Sequence, residues 1–255
     1  MILGLNNHRA LVCGASSGLG AACAAQLAAE GARVALAARP SERLDSHVKA
    51  VDGVAVPTDL ATADGPAIAV EESVRAMGGL DVLVVNGGGP PAGGFDALDE
   101  EAWTSAINGT LHSALRLIRA ALPHLRAGQD PAIVMILSSS ARMPLPGLTT
   151  SNVLRPGLVG LIKTLAAEIA PIRINGVSPG RFDTPRLASL DAKRAEAAGL
   201  GVDEIRTRAV GSIPLGRYGE PAELARLVTV LASPVASYVT GAVLPVDGGM
   251  VLALP

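Results

Sequence analysis

The chain has few aromatics, few cysteines and histidines, and no concentration of charge. Phe, Trp and Tyr make up 2% of its 255 residues, so a core must be built from Ala, Val, Leu and Ile. Such residues suit parallel strands buried on both faces and closely packed helices. Cys13 and Cys23 are too few for a disulfide framework and fit a reducing cytoplasm. The four histidines and two cysteines show no metal-ligand spacing, so no metal site is expected. Net charge is −2 with no basic run, which argues against a nucleic-acid partner. No apolar run reaches ~18 residues, so no membrane span is expected. Residues 1–5 (MILGL) lack the basic region and cleavage site of a signal peptide. The remaining class is a cytoplasmic globular protein that handles a small molecule.

What is present is apolar and rhythmic. Hydrophobic residues make up 49%, with 29 glycines and 18 prolines. Short apolar runs recur at 10–13, 34–37, 54–56, 82–85, 133–137, 172–177 and 243–246. Helical periodicity fills most gaps between them, best at 101–126, 152–170 and 220–231. Strand–helix alternation predicts an α/β fold: one domain over 1–255, doubly wound in the Rossmann manner, mainly parallel, with helices on both faces. Residues 183–217 hold no clear strand and begin beyond a strand end. In this architecture ligands bind on that side, so the segment reads as a substrate lid, with an irregular surface insertion as the plainer account.

Gly14, Ser16, Ser17, Gly18, Leu19 and Gly20 lie between the first strand and an Ala-rich helix. Glycines here let backbone N–H groups approach a pyrophosphate, and the helix N-terminus faces its charge. At the end of the second strand, a carboxylate that would read a free ribose 2′-OH is missing: the position is Ala38. Arg39 follows, suited to a 2′-phosphate, so NADP(H) is preferred over NAD(H).

The glycine spacing at 14, 18 and 20 resembles that of the short-chain dehydrogenase/reductase family. So do Asn86-Gly87-Gly88, Pro179-Gly180 with Thr184, residues 213–217, Tyr238-Val239-Thr240-Gly241 and residues 246–249. The resemblance covers nearly the whole chain. It implies that Asp59 and Leu60 lie at the adenine, although Asp59 serves equally well as an N-cap of the next helix. It further implies that Asn86, Gly87, Gly88, Pro179, Gly180 and Thr184 line the cofactor site. The family's catalytic serine falls at Ser138, thirteen residues before Ser151, with Ser139 and Ser140 as alternative registers.

The family's Tyr-x-x-x-Lys pair is replaced by Ser151 and Arg155, and its helix asparagine by Thr110, seven residues after Trp103. Asn108 points about 200° away on a regular helix, so only an irregular helix would let it substitute. A serine alcohol is a poor general acid. Arg155 stays protonated but can hold the nicotinamide ribose. His8, His47 and His124 read as surface or helix-end residues, and His112 as a core or interface residue.

Two functions follow. One is an NAD(P)-dependent oxidoreductase, with NADP favoured, that moves hydride to or from a small carbonyl or alcohol using an altered catalytic set. The other is an SDR-like nucleotide-binding or scaffold protein that has lost catalysis. The resemblance also implies a homotetramer, or failing that a dimer, through the helices starting near 101 and 152 and the C-terminal residues 250–254.

Overall fold

The computed structural model describes residues 2–253. Met1, Leu254 and Pro255 lie outside the described residues, so the last position of the expected C-terminal contact is not placed. Seven strands form one parallel sheet: β1 (Arg9–Cys13), β2 (Arg33–Ala38), β3 (Val54–Pro57), β4 (Val82–Val85), β5 (Ala132–Ile136), β6 (Arg173–Pro179) and β7 (Val243–Val246). Their order is β3-β2-β1-β4-β5-β6-β7. The order reverses between β1 and β4, which pair through Ala10 with Val82 and Val12 with Val84.

Every central strand is buried on both faces, and the period of two sorts its side chains between two cores. Leu11, Cys13, Ala35, Ala37, Leu83 and Ile133 point to one core. That core is closed by α3 (Gly65–Met77), α5 (Ser113–Arg126) and α6 (Thr149–Glu168), through residues such as Val70, Leu117 and Leu158. Ala10, Val12, Val34, Leu36 and Val84 point to the other. It is closed by α1 (Gly18–Ala29), α2 (Glu42–Ala50) and α9 (Pro221–Ala232), through Leu27, Leu44 and Val228.

The helix ends follow local chemistry. Ser41 Oγ accepts from Leu44 N at 3.3 Å, and Asp99 Oδ1 accepts from Ala102 N at 2.8 Å to start α4 (Glu100–Ala106). Pro221 opens α9 behind a reciprocal Glu220–Glu223 capping box. Arg173 at the foot of β6 donates to the carbonyls of Leu231, Ala232, Ser233 and Ala236, closing the C-terminal end of α9.

The expected single helix over 101–126 is three pieces: α4, a π-helical turn at Ile107–His112, and α5. Two helices, α7 (Pro185–Ala198) and α8 (Val202–Gly211), fill the segment expected as a lid. They share a small apolar cluster of Ala209, Ile213 and Tyr218, with Leu187 and Val210 against it. The segment is therefore neither a long loop nor irregular.

Candidate functional site

Two adjoining cavities open at the C-terminal ends of the strands, where the sheet order reverses. The first is a groove of about 540 Å³ over β1 and β2. Gly14, at φ +60°, makes the turn out of β1. A Cβ on Gly20 would stand 2.3 Å from Gly14 O, so α1 packs against that turn only as glycine. Asn86 Nδ2 donates to Gly14 O at 3.4 Å and ties the end of β4 to it. Ser16, Ser17, Gly18 and Leu19 line the groove, and the Ser17 side chain makes no cap bond at the start of α1. The first N–H groups of α1 are left for a ligand at the positive end of the helix.

Ala38 and Arg39 line the same groove, with Arg39 exposed. Asp59, Leu60, Gly87, Gly88 and Thr184 line it too. A Cβ on Gly88 would meet nothing within 4 Å, so its backbone borders open space. Asp59 is not the N-cap of α3. That position is Asp64, and Asp59 Oδ1 instead accepts from Ala61 N at 2.9 Å within a turn. Cys13 is buried beneath the turn, and desolvation pushes its thiol up to about 12, against a smaller opposing hydrogen bond from Asn86, leaving it unreactive.

The second cavity, about 370 Å³, lies beside the first. Leu19, Asn86, Gly87, Gly89, Pro90, Thr184 and Arg186 border both. Pro179 and Gly180 line the second alone. Thr184 N-caps α7, accepting from Leu187 N at 3.3 Å, which fixes that side chain where the cavities meet.

Ser138, Ser151 and Arg155 all line this second cavity. Ser138 Oγ accepts from Ser140 N at 3.1 Å, which leaves its own hydroxyl proton uncommitted. The direct partner of Ser151 is Ser140, not Ser138: the two Oγ atoms are 2.9 Å apart and buried. Ser139 also lines the cavity, so the serine run supplies three different contacts rather than one. Arg155, four residues after Ser151, shares its face of α6. It is 7% exposed and donates from Nη1 to Ile136 O at 2.9 Å, while its Nε has no partner. Burial, with Arg186 adding to it, pushes Arg155 down to about 10, so it remains a cation at neutral pH.

The helix after Trp103 is irregular, as the Asn108 alternative required, yet Asn108 does not take the place. Thr110 lines the first groove and also a void of about 10 Å³ shared with Arg155. Thr110 Oγ1 is buried there without a partner. The π turn sits at this position, a common place for such turns.

Among the described residues, no histidine, tyrosine, lysine, cysteine, aspartate or glutamate lines the second cavity. Tyr218 donates to Asp191 Oδ2 at 2.8 Å, and burial first, then that bond, raises it above the usual phenol range. Tyr238 is fully exposed. His8 is buried at 2% exposure, contrary to the surface expectation, with both ring nitrogens unpartnered. His112 is exposed at the end of the π turn, not in the core. The described residues contain no cluster of three or more metal-ligating side chains.

Sequence reasoning missed the arginines of the second cavity. Arg186 lies across the Gly89 backbone and donates to Pro90 O at 2.9 Å, and Arg181 and Arg194 join it in the lining. The run Thr184-Pro185-Arg186 held a usable signal, because a helix beginning at Pro185 turns its first residues toward the strand ends.

Residues 14–251 match the family model described as enoyl-(acyl carrier protein) reductase. The chain belongs to the short-chain dehydrogenase/reductase family. This short-chain dehydrogenase/reductase is 35% identical over 249 residues to 3-oxoacyl-[acyl-carrier-protein] reductase FabG of Thermotoga maritima, covering 95% of this chain and 97% of the relative. It is 31% identical to Homo sapiens dehydrogenase/reductase SDR family member 4, covering 96% and 88%. Among solved structures, L-sorbose reductase from Gluconobacter frateurii, complexed with NADPH and L-sorbose, superposes with a TM-score of 0.94 at 31% identity and full coverage of both chains. A variant of actinorhodin polyketide ketoreductase with NADPH gives 0.91 at 31% identity, covering 96% of this chain and 97% of that one. The protein is thus an oxidoreductase of the short-chain type, and no helix among its described residues is long and apolar enough to cross a membrane.

Proposed function

We propose that the protein is an NADPH-dependent reductase of a small carbonyl compound, or oxidises the corresponding alcohol, using serine and arginine in place of a tyrosine acid. The observation that carries this reading is the junction of the two cavities, with Ser138, Ser151 and Arg155 on the wall next to the groove. NADPH bound in two of the solved relatives supports the choice of cofactor. The phosphates would rest at Gly14, Ser16, Ser17, Gly18, Leu19 and Gly20, and the adenine end at Asp59 and Leu60. Arg39 would meet the 2′-phosphate, since Ala38 offers no carboxylate. Asn86, Gly87, Gly88, Pro179, Gly180 and Thr184 would border the nicotinamide end, with Arg155 at its ribose.

When bound, the cofactor supplies a hydride to the carbonyl carbon. Ser138 and Ser151 hold the carbonyl oxygen by hydrogen bonds, the first with a free hydroxyl, the second set by Ser140. Arg155 adds a fixed positive charge in a desolvated site, where it stabilises the alkoxide more than water would. Neither serine gives up its proton outright. The alkoxide oxygen takes a proton from a water admitted through the cavity mouth, and hydroxide returns to solvent. Thr110 lines the same small void as Arg155, which Ile136 O holds in place. Residues 183–217 act as the substrate lid, the assembly is a homotetramer, and the setting is cytoplasmic.

A second reading, a nucleotide-binding protein without turnover, is favoured by the absence of any titratable acid near neutral pH in the cavity lining. A panel of small aldehydes and ketones assayed with NADPH, beside calorimetric NADPH binding, separates the two. Turnover that falls with Ser138→Ala supports the reductase. Tight NADPH binding with no turnover across the panel supports the second reading.

A further inference from the structure

The second cavity is cationic as well as apolar. Arg155, Arg181, Arg186 and Arg194 all border it, and no carboxylate does. One acid, Asp191, stands behind them at 3% exposure. It is shared between Arg181 at 3.3 Å and Arg194 at 3.4 Å, and also accepts the Tyr218 hydroxyl. Four guanidinium groups therefore face one carboxylate, a surplus of three positive charges around a single cavity. Arg155 and Arg186 are the least compensated, each donating to one carbonyl, of Ile136 and Pro90 respectively. Arg155 is the buried one of the four, with its Nε unpartnered, while Arg186 is exposed and Arg181 and Arg194 are partly so. The three reachable guanidinium groups suit a ligand that brings an anion.

The cofactor's phosphates do not account for this surplus. Their groove lies at the turn of β1, and of these four arginines only Arg186 borders it. A ribose hydroxyl at Arg155 would carry no charge. The rest of the second cavity is apolar, with Met143, Leu145, Leu148 and Leu190 in its lining. We infer that the substrate is an oxo acid: a carboxylate held by Arg186, with Arg181 and Arg194 in the same lining, and a short aliphatic tail on the apolar wall. The inference rests on the reductase reading for the reacting carbonyl but not for the carboxylate.

The test uses 2-oxohexanoate and 3-oxohexanoate against their methyl esters as substrates with NADPH. Hexanoate against hexanamide serves as a non-reacting binding pair on the NADP⁺-loaded protein. Charge-assisted hydrogen bonds predict a preference for the acid over the neutral partner of about 10- to 100-fold, in kcat/KM and in Kd alike. Arg186→Gln should cut that preference by about 10-fold. Selective hexanoate binding without turnover would sustain the carboxylate site and sink the reductase reading. Turnover with equal use of acid and ester would sustain the reductase and overturn the oxo-acid site. An Arg186→Gln variant that loses NADPH affinity while keeping its acid preference would assign Arg186 to the cofactor and also overturn the site as stated.

Discussion

On the proposed reading, single residues decide which cofactor is used and how the proton moves. Ala38 and Arg39 sit together at the mouth of β2 on the groove. Arg39→Ala is expected to weaken NADPH binding by about 10- to 100-fold, the usual worth of a charge-assisted contact, and to leave NADH nearly unchanged. Ala38→Asp should shift preference toward NADH; tighter NADH than NADPH binding by the parent in calorimetry would refute the 2′-phosphate assignment. Ser151 does not titrate in the accessible range, and Arg155, though depressed to about 10, stays charged below that. The kcat for carbonyl reduction should therefore be flat from about pH 6 to 9, with a fall only as Arg155 begins to lose its proton near 10. A step inside that window would reveal a titrating acid in the site. That these residues would line the cavities was legible in the sequence, because each is fixed by its spacing from a strand end or a helix turn. The Ser140–Ser151 bond and the burial of His8 were not. Three consecutive serines leave a strand with no period to distinguish them, and one histidine ahead of β1 carries no sign of which side packs.

At the level of elements, long periodic stretches were read well and interruptions poorly. The strands lie within one or two residues of the apolar runs, since burial on both faces leaves few alternatives. The break in the 101–126 stretch was not legible, because one extra residue in a π turn keeps the apolar positions on roughly the same side. That turn is what sets Thr110 against Arg155. The segment 183–217 gave no strand signal and proved to be α7 and α8, joined through Gly199 at φ +63° and Gly201 at the start of α8. α8 is tied to the segment's own ends, Arg206 pairing with exposed Asp183 at 3.0 Å and lying 4.8 Å from the Tyr218 ring, and to α7 through the small apolar cluster around Ala209, Ile213 and Tyr218. An exposed pair and a cluster of this size contribute little, so the two helices should open at low free-energy cost. Hydrogen exchange is expected to show α7 and α8 exchanging quickly in the free protein and slowly with NADPH, because Thr184, Pro185 and Arg186 border the groove. Equal protection in both states would remove the lid.

For the whole molecule, the doubly wound sheet was legible because composition, alternation and glycine placement agree. The assembly was not, since an exposed Val153 on α6 and Tyr238 near the C-terminus identify no partner by themselves. Light scattering at micromolar concentration is expected to give a four-chain mass; a single-chain mass would contradict the assembly. If the fold keeps a reductase site that lacks only the tyrosine acid, with cofactor and carbonyl positions in place, supplying that acid should raise turnover. Ser151 borders an open cavity of about 370 Å³, so a phenol at that position has room. The measurement is NADPH-dependent carbonyl reduction by the Ser151→Tyr, Arg155→Lys, Thr110→Asn variant beside the parent, with NADPH binding followed in both. Unchanged binding and a gain of about 10²-fold or more in turnover are expected. Intact NADPH binding with no gain would contradict that reading, because the pocket would then have been rebuilt for another task.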